Sequence, residues 1–426
     1  MNRRQFVSSS FRAAAAVGLA PQASPAANEH IERARQAALE VLKATPGQIE
    51  HGLELHANSL VIESYGFSPR AAPDGDRMRA AIEAGASEIE LQDLSEEMSM
   101  TRQVAHPAER AEYENAWRAS GLTCIFQNAG EEGQDPLRLL KRLARFTYVT
   151  DMLRGFVSKA ATPDDIVAAR KRSARCLYFS GNGVPVTQQW VSVEDELRYI
   201  RVFFQLGIRM MHLTYNRRNM IGDGCAETSN AGLSDFGRAA VAEMNRAGVI
   251  VDCAHSSWQT SLEAAKASQR PMVASHSCCA EVNRHIRSKP DQVIRAIADT
   301  GGYIGICVIP RFIGRGGDIN AMLDHIDHVV KRFGADHAAI GTDVVSSSSR
   351  SNEEYRKIPK RRRSRAPFES FWPAGALDGE TSNLSLEWTN WPIFTVGMVQ
   401  RGYSDTDIRK ILGGNVLRVA RAALAV

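Results

Sequence analysis

Short apolar runs recur along this chain, with room for a helix between most of them. They cover residues 60–62, Leu122–Phe126, Arg175–Phe179, Ile208–Thr214, Val249–Ala254, Met272–Ser275, Tyr303–Val308 and residues 338–342. Each is a few residues long and reads as a buried strand. Helical periodicity fills the gaps, as in Val193–Leu206, Gly237–Ala247, Gln292–Asp299 and Ile319–Phe333. Residues 29–58 read as a leading amphipathic helix. Near the C-terminus, Ser404 and Asp405 offer an N-cap before Ile408–Leu412, Gly413-Gly414 ends that helix, and Asn415–Leu424 forms another. Strands alternating with helices predict an α/β fold, a (β/α)8 TIM-like barrel with extra N- and C-terminal helices. An open doubly wound sheet is the alternative, but no glycine-rich phosphate loop follows the first strand.

The strand ends carry the candidate chemistry. His255 closes the run from Val249, His276 closes the run from Pro271, and Asp343 closes the run from Ala338. Barrel enzymes build their sites at the carboxyl ends of their strands. Two imidazoles and a carboxylate there form a metal or acid–base constellation. For Asp343 the plainer role is a turn-former. Asp223, Glu227 and Asp235 fall in the loop after the fourth strand, where capping or solvated roles are the default. His56, His325 and His328 fall on helical patterns and read as surface or packing residues.

Composition is that of an ordinary globular protein, 44% hydrophobic and 23% charged over 426 residues. A net charge of +4 is too small to suggest nucleic acid. Arg3-Arg4, a following aromatic and the weakly apolar stretch Ala13–Ala20 look like a twin-arginine export signal over residues 1–28. The expected location is therefore periplasmic, with residues 29–426 forming one barrel domain. No transmembrane anchor is expected, because that needs about 20 strongly apolar residues. Of seven cysteines, Cys124, Cys176, Cys253 and Cys307 lie in strand-like runs, and Cys225, Cys278 and Cys279 are expected in loops. The odd count gives no disulfide framework. Residues 346–373, with the basic core Lys360–Arg363, read as a long loop after the last strand.

Several ordered segments carry a family resemblance. Ala231–Gly237 leads to Glu243–Gly248, then Asp252–Ser256, Ala274–Ser277, Arg284–Asp291, Asp324–His328, Ile340–Asp343 and Ile411–Val419. In order and spacing these resemble the membrane (renal) dipeptidase family of zinc peptidases, densely from about residue 195 onward. The resemblance implies a barrel that hydrolyses dipeptides at a two-zinc site. It implies that His255 and His276 bind the second metal and that Arg287 holds the substrate carboxylate. It also implies that Asp343 is the acid/base group near the substrate amine. Zinc accepts neutral imidazole, and a guanidinium fork suits a carboxylate.

Four positions depart from the family pattern. Tyr65 and Phe67 stand where a His-x-Asp pair holds the first metal, and the stretch around Ser180 lacks the bridging glutamate. Tyr215 takes the place of a histidine at the fourth strand end, where a phenol still offers a hydrogen bond to an oxyanion. The expectation is a dipeptidase-like metallohydrolase of a small amide or dipeptide-like substrate, with one zinc in place of two. A homodimer is compatible with this reading, and a nucleic-acid partner is not expected. The alternative is a non-hydrolytic binding or accessory protein that uses the same pocket.

Overall fold

The computed structural model describes residues 25–130, 134–360, 368 and 371–424. Eight strands line up in chain order: β1 (Ile62–Gly66), β2 (Cys124–Asn128), β3 (Arg175–Gly181), β4 (Ile208–His212), β5 (Ile250–Asp252), β6 (Val273–Cys279), β7 (Tyr303–Ile306) and β8 (Ala338–Ile340). Every pairing along this path is parallel. Two short strands, Val157–Lys159 and Ser288–Lys289, add to β3 and β6. Side chains tie the first strand to the last. Glu63 on β1 accepts hydrogen bonds from the backbone N–H (3.3 Å) and hydroxyl of Thr342, just beyond β8. The result is a nearly closed α/β barrel, as the alternating apolar runs predict.

Each of the eight expected runs holds a strand. The first is displaced, because β1 continues through Glu63 and Ser64, polar residues that are nonetheless fully buried. Helices Val193–Leu206, Ile319–Phe333 and Asn415–Leu424 have the expected bounds. The single leading helix is in fact two, Pro25–Leu42 and Pro46–Asn58. Thr45 starts the second with a capping box to Gln48, and Pro46 sits where its missing N–H costs nothing. The segment expected as one loop over 346–373 contains a helix, Ser351–Lys357. Arg361–Arg365 of its basic run and residues 1–24 of the expected export signal lie outside the described residues. Cys278 and Cys279, expected in a loop, are the buried last residues of β6.

The barrel interior changes character along its axis. Ile62, Tyr178, Met210, Ile250 and Val273 belong to one buried apolar cluster. Two residues further along the same strands come Ser64, Ser180, His212, Asp252 and Ser275, all buried and all polar. Side chains two apart on a strand share a face, so the interior is apolar below and polar toward the carboxyl ends. Gly305 makes room in this upper layer: a Cβ there would meet Ser275 O at 1.9 Å and Ser64 Oγ at 2.4 Å. No helix among the described residues is long and apolar enough to cross a membrane.

Candidate active site

His255 follows β5 by three residues, and His276 lies within β6. The structure brings their Nε2 atoms to 3.0 Å from each other. The far side of each ring is held. His255 Nδ1 lies 2.8 Å from Asn216 Oδ1, and His276 Nδ1 lies 2.9 Å from Ser275 Oγ. With the ring hydrogens on the Nδ1 atoms, both Nε2 lone pairs converge on one point. Burial, and then the charge of Arg287, push both imidazoles well below their usual pKa. Neutral rings with converging lone pairs and oxygen partners behind them suit a shared divalent cation.

The turn carrying His255 is fixed by the loop after β4. Cys225 N donates to His255 O at 2.7 Å, and Ser257 N donates to Asp223 O at 2.9 Å. Asp223, expected to be solvated or capping, is buried and organises this loop. Its carboxylate accepts from Arg218, Ser229 and the Ala231 N–H. The Tyr215 ring stacks on His255, centroids 4.2 Å apart and 25° from parallel. This places Tyr215 beside the imidazole pair.

Arg287 is buried, not a surface arginine. Its Nη1 donates to Ala254 O at 3.1 Å and its Nη2 to His276 O at 3.1 Å. It thereby ties together the two histidine-bearing segments. Its Nε has no hydrogen-bond partner, and Phe312 lies under the guanidinium at 5.5 Å. Asp343 adopts φ +59°, an uncommon left-handed conformation for a residue other than glycine. Burial raises its carboxyl to about 6, against the opposing pull of Arg287 and His212.

The first-metal side has a different content. Tyr65 donates to Asn182 Oδ1 at 2.5 Å, and its ring stacks on His276 with centroids 3.8 Å apart. A register shift between Glu63 and Gly66 accompanies its inward turn. The Phe67 ring lies under Arg70 at 5.3 Å, and Ser180 Oγ is buried without a hydrogen-bond partner. Phenylalanine offers no donor, and the Tyr65 hydroxyl is committed to Asn182. These residues do not fit a cation, whereas the imidazole pair does.

Several site residues escaped the sequence reading. His212, fully buried, has its ring centroid 5.2 Å from Tyr65, 5.4 Å from His255 and 5.1 Å from His276. Its Nε2 lies 2.7 Å from Asp252 Oδ2, yet neither ring nitrogen is aligned for a hydrogen bond. Burial alone would raise Asp252, but His212 and the hydrogen bonds from Ser275 outweigh it and hold the carboxylate below its usual range. Glu63 also accepts from Trp388 Nε1 at 2.8 Å, and burial lifts it to about 8. The missing signal was parity: His212 and Asp252 continue the inward alternation of Met210 and Ile250, so polar side chains in apolar runs pointed into the barrel. His56 and His325 are buried and hydrogen-bonded away from the site, while His328 is half-buried beside Asp291.

Fold and site together define a parallel α/β-barrel protein with a paired-imidazole centre at the carboxyl ends of its strands. Residues 88–360 match the model of the membrane dipeptidase family, peptidase family M19, and the chain belongs to that family. The family is zinc-dependent. Among similar proteins, dipeptidase tcpJ of Claviceps purpurea is 29% identical over 229 residues, covering 52% of this chain and 46% of its own. Dipeptidase verJ of Clonostachys rogersoniana is 30% identical over 224 residues, covering 52% and 50%. The chain thus spans about half the length of the curated relatives it matches. The crystal structure of an amidohydrolase from Pseudomonas aeruginosa superposes with a TM-score of 0.63 at 25% identity, covering 88% of this chain and 99% of that one.

Proposed function

We propose that this chain is a dipeptidase-like metallohydrolase of small amide or dipeptide-like substrates, built on a single zinc ion held by His255 and His276. The convergence of the two Nε2 atoms at 3.0 Å carries the reading. Zinc bound there would supply Lewis acidity toward a carbonyl and lower the pKa of water. Two imidazoles are one short of the three protein ligands usual at a catalytic zinc, so Asp343 or a substrate group would complete the set and still leave a position for solvent.

The chain's own residues do the rest. Arg287, with Nε unengaged, binds the substrate's terminal carboxylate through charge-assisted hydrogen bonds. Asp343, poised at about 6, accepts a proton at its carboxylate and returns it to the leaving amine. The Tyr215 hydroxyl donates to the developing oxyanion. Residues 1–28 direct export by the twin-arginine route to the periplasm. Replacing Arg3 and Arg4 by lysines should leave the protein in the cytoplasm, and unchanged export would exclude that route.

One observation favours a second reading. Tyr65 fills the first-metal side with its ring against His276, as suits a pocket that binds without hydrolysing. Zinc-loaded protein assayed on a panel of dipeptides separates the two. Turnover that disappears in His276→Ala supports the hydrolase. Zinc binding without turnover on any peptide or amide supports the binding protein.

A further inference from the structure

His212, Asp252 and His276 offer donor atoms that all lie within 4.8 Å of one another, buried in the upper layer of the barrel. Ser275 Oγ stands among them, hydrogen-bonded to both Asp252 and His276. Ser275 thus links Asp252 to His276 in a hydrogen-bond relay, with His212 beside it but outside these bonds. We propose that Asp252 is a positioning residue which, acting through the Ser275 hydroxyl, fixes the hydrogen of His276 on Nδ1 and leaves Nε2 bare. This rests on the reading of His276 as a zinc ligand only in its consequence for affinity.

The direction of the relay follows from counting hydrogens. Asp252 Oδ1 accepts from Ala254 N at 2.9 Å and Ser275 N at 3.0 Å. Asp252 Oδ2 accepts the Ser275 hydroxyl, with His212 alongside. A carboxylate only accepts, so the one hydroxyl hydrogen of Ser275 is spent on Asp252. Ser275 Oγ then has only lone pairs to offer His276 Nδ1, 2.9 Å away. His276 Nδ1 must carry the hydrogen. The partner of one ring nitrogen thus decides what the other can do.

The isosteric variant Asp252→Asn reverses every donor in this chain. The two backbone N–H groups pin the amide oxygen at the Oδ1 position. The Asn amide nitrogen then donates to Ser275 Oγ, which frees the Ser275 hydroxyl hydrogen to donate to His276 Nδ1. The ring hydrogen moves to Nε2, a wrong tautomer with geometry intact.

The test uses metal-free protein with 15N-labelled histidine, read by NMR, and zinc titration in parallel. Expected is the Nδ1–H tautomer for His276 in the wild type and the Nε2–H tautomer in Asp252→Asn. Zinc affinity should fall about 10- to 100-fold in that variant. The Nε2–H tautomer in the wild type, or the same tautomer in both proteins, overturns the proposal. Wild-type protein that binds no zinc but shows the tautomer switch supports the relay while refuting the metal reading. Should Asp252→Asn not fold, Ser275→Ala and Ser275→Thr carry the test. Loss of the Nδ1–H form in the alanine variant and its retention in the threonine variant support the relay, and retention in both overturns it.

Discussion

The two sides of the barrel mouth answer the same geometric problem differently. On one side, His255 and His276 converge on a point, and each is backed by an oxygen that orients it. On the other, Tyr65, Phe67 and Ser180 leave no converging donors, and the Tyr65 hydroxyl is paired with Asn182. Ligand atoms that converge need a cation or a proton between them; the Tyr65 hydroxyl, paired with Asn182, needs neither, and the partnerless Ser180 Oγ has no second ligand atom converging on it. The first side reads as a ligand set because its polar groups are complete only with a guest. The second reads as packing, since an aromatic ring stacked on His276 already occupies it.

The sharpest way to break that contrast is to remove one member of the pair. His276→Ala should eliminate zinc uptake and bring turnover to background, checked by metal analysis and a dipeptide assay. Unchanged turnover would end the assignment. Next in size is Asp343→Asn, which should cost about 10²- to 10⁴-fold in kcat while zinc stays bound. In the wild type, Asp343 becomes a base only as its proton leaves at about 6, so kcat/KM should climb as pH rises through that value. Arg287→Lys keeps the charge but loses the fork, and should raise KM by about 10-fold for substrates with a free carboxylate. It should change KM little for amidated ones.

A smaller effect concerns stability. Glu63 is raised from 4.5 to about 8 by burial, so the folded state keeps a proton that the unfolded state releases. Its contribution is fully present below its unfolded pKa and is lost as pH rises toward the folded value. The wild-type Tm should therefore carry a falling contribution from about pH 4.5 to about 8, and Glu63→Gln should flatten that slope. The smallest effect is expected from rebuilding the packed side. Tyr65→His with Phe67→Asp should add no second zinc while Ser180 still lacks a bridging carboxylate, and adding Ser180→Glu should be needed for it.

The strand ends were legible because each one closes an apolar run, and His255, His276 and Asp343 each sit at or just beyond such a boundary. Of the local caps, Ser404 was legible and bonds to a backbone N–H three residues on, whereas Thr45 does the same and still broke the leading helix unannounced, because apolar periodicity runs on across it. The relay beneath the histidines was less so. Asp252 and His212 meet across two strands, and only the pairing of Met210 with Ile250 and His212 with Asp252 sets them side by side. Glu63 lies 279 residues from Thr342, so its hydrogen bonds had no local trace. Arg287 is adjacent to nothing that marks it as buried; its partners Ala254 O and His276 O are backbone atoms brought together by β5 and β6.

Zinc stoichiometry tests the central claim most directly. Metal-free protein should be loaded with excess zinc, dialysed and assayed for bound metal, alongside His255→Ala and His276→Ala. The expected result is about one zinc per chain in the wild type and less than about a tenth in either variant. Two ions per chain, none, or one that persists in both variants would contradict a single centre held by the imidazole pair.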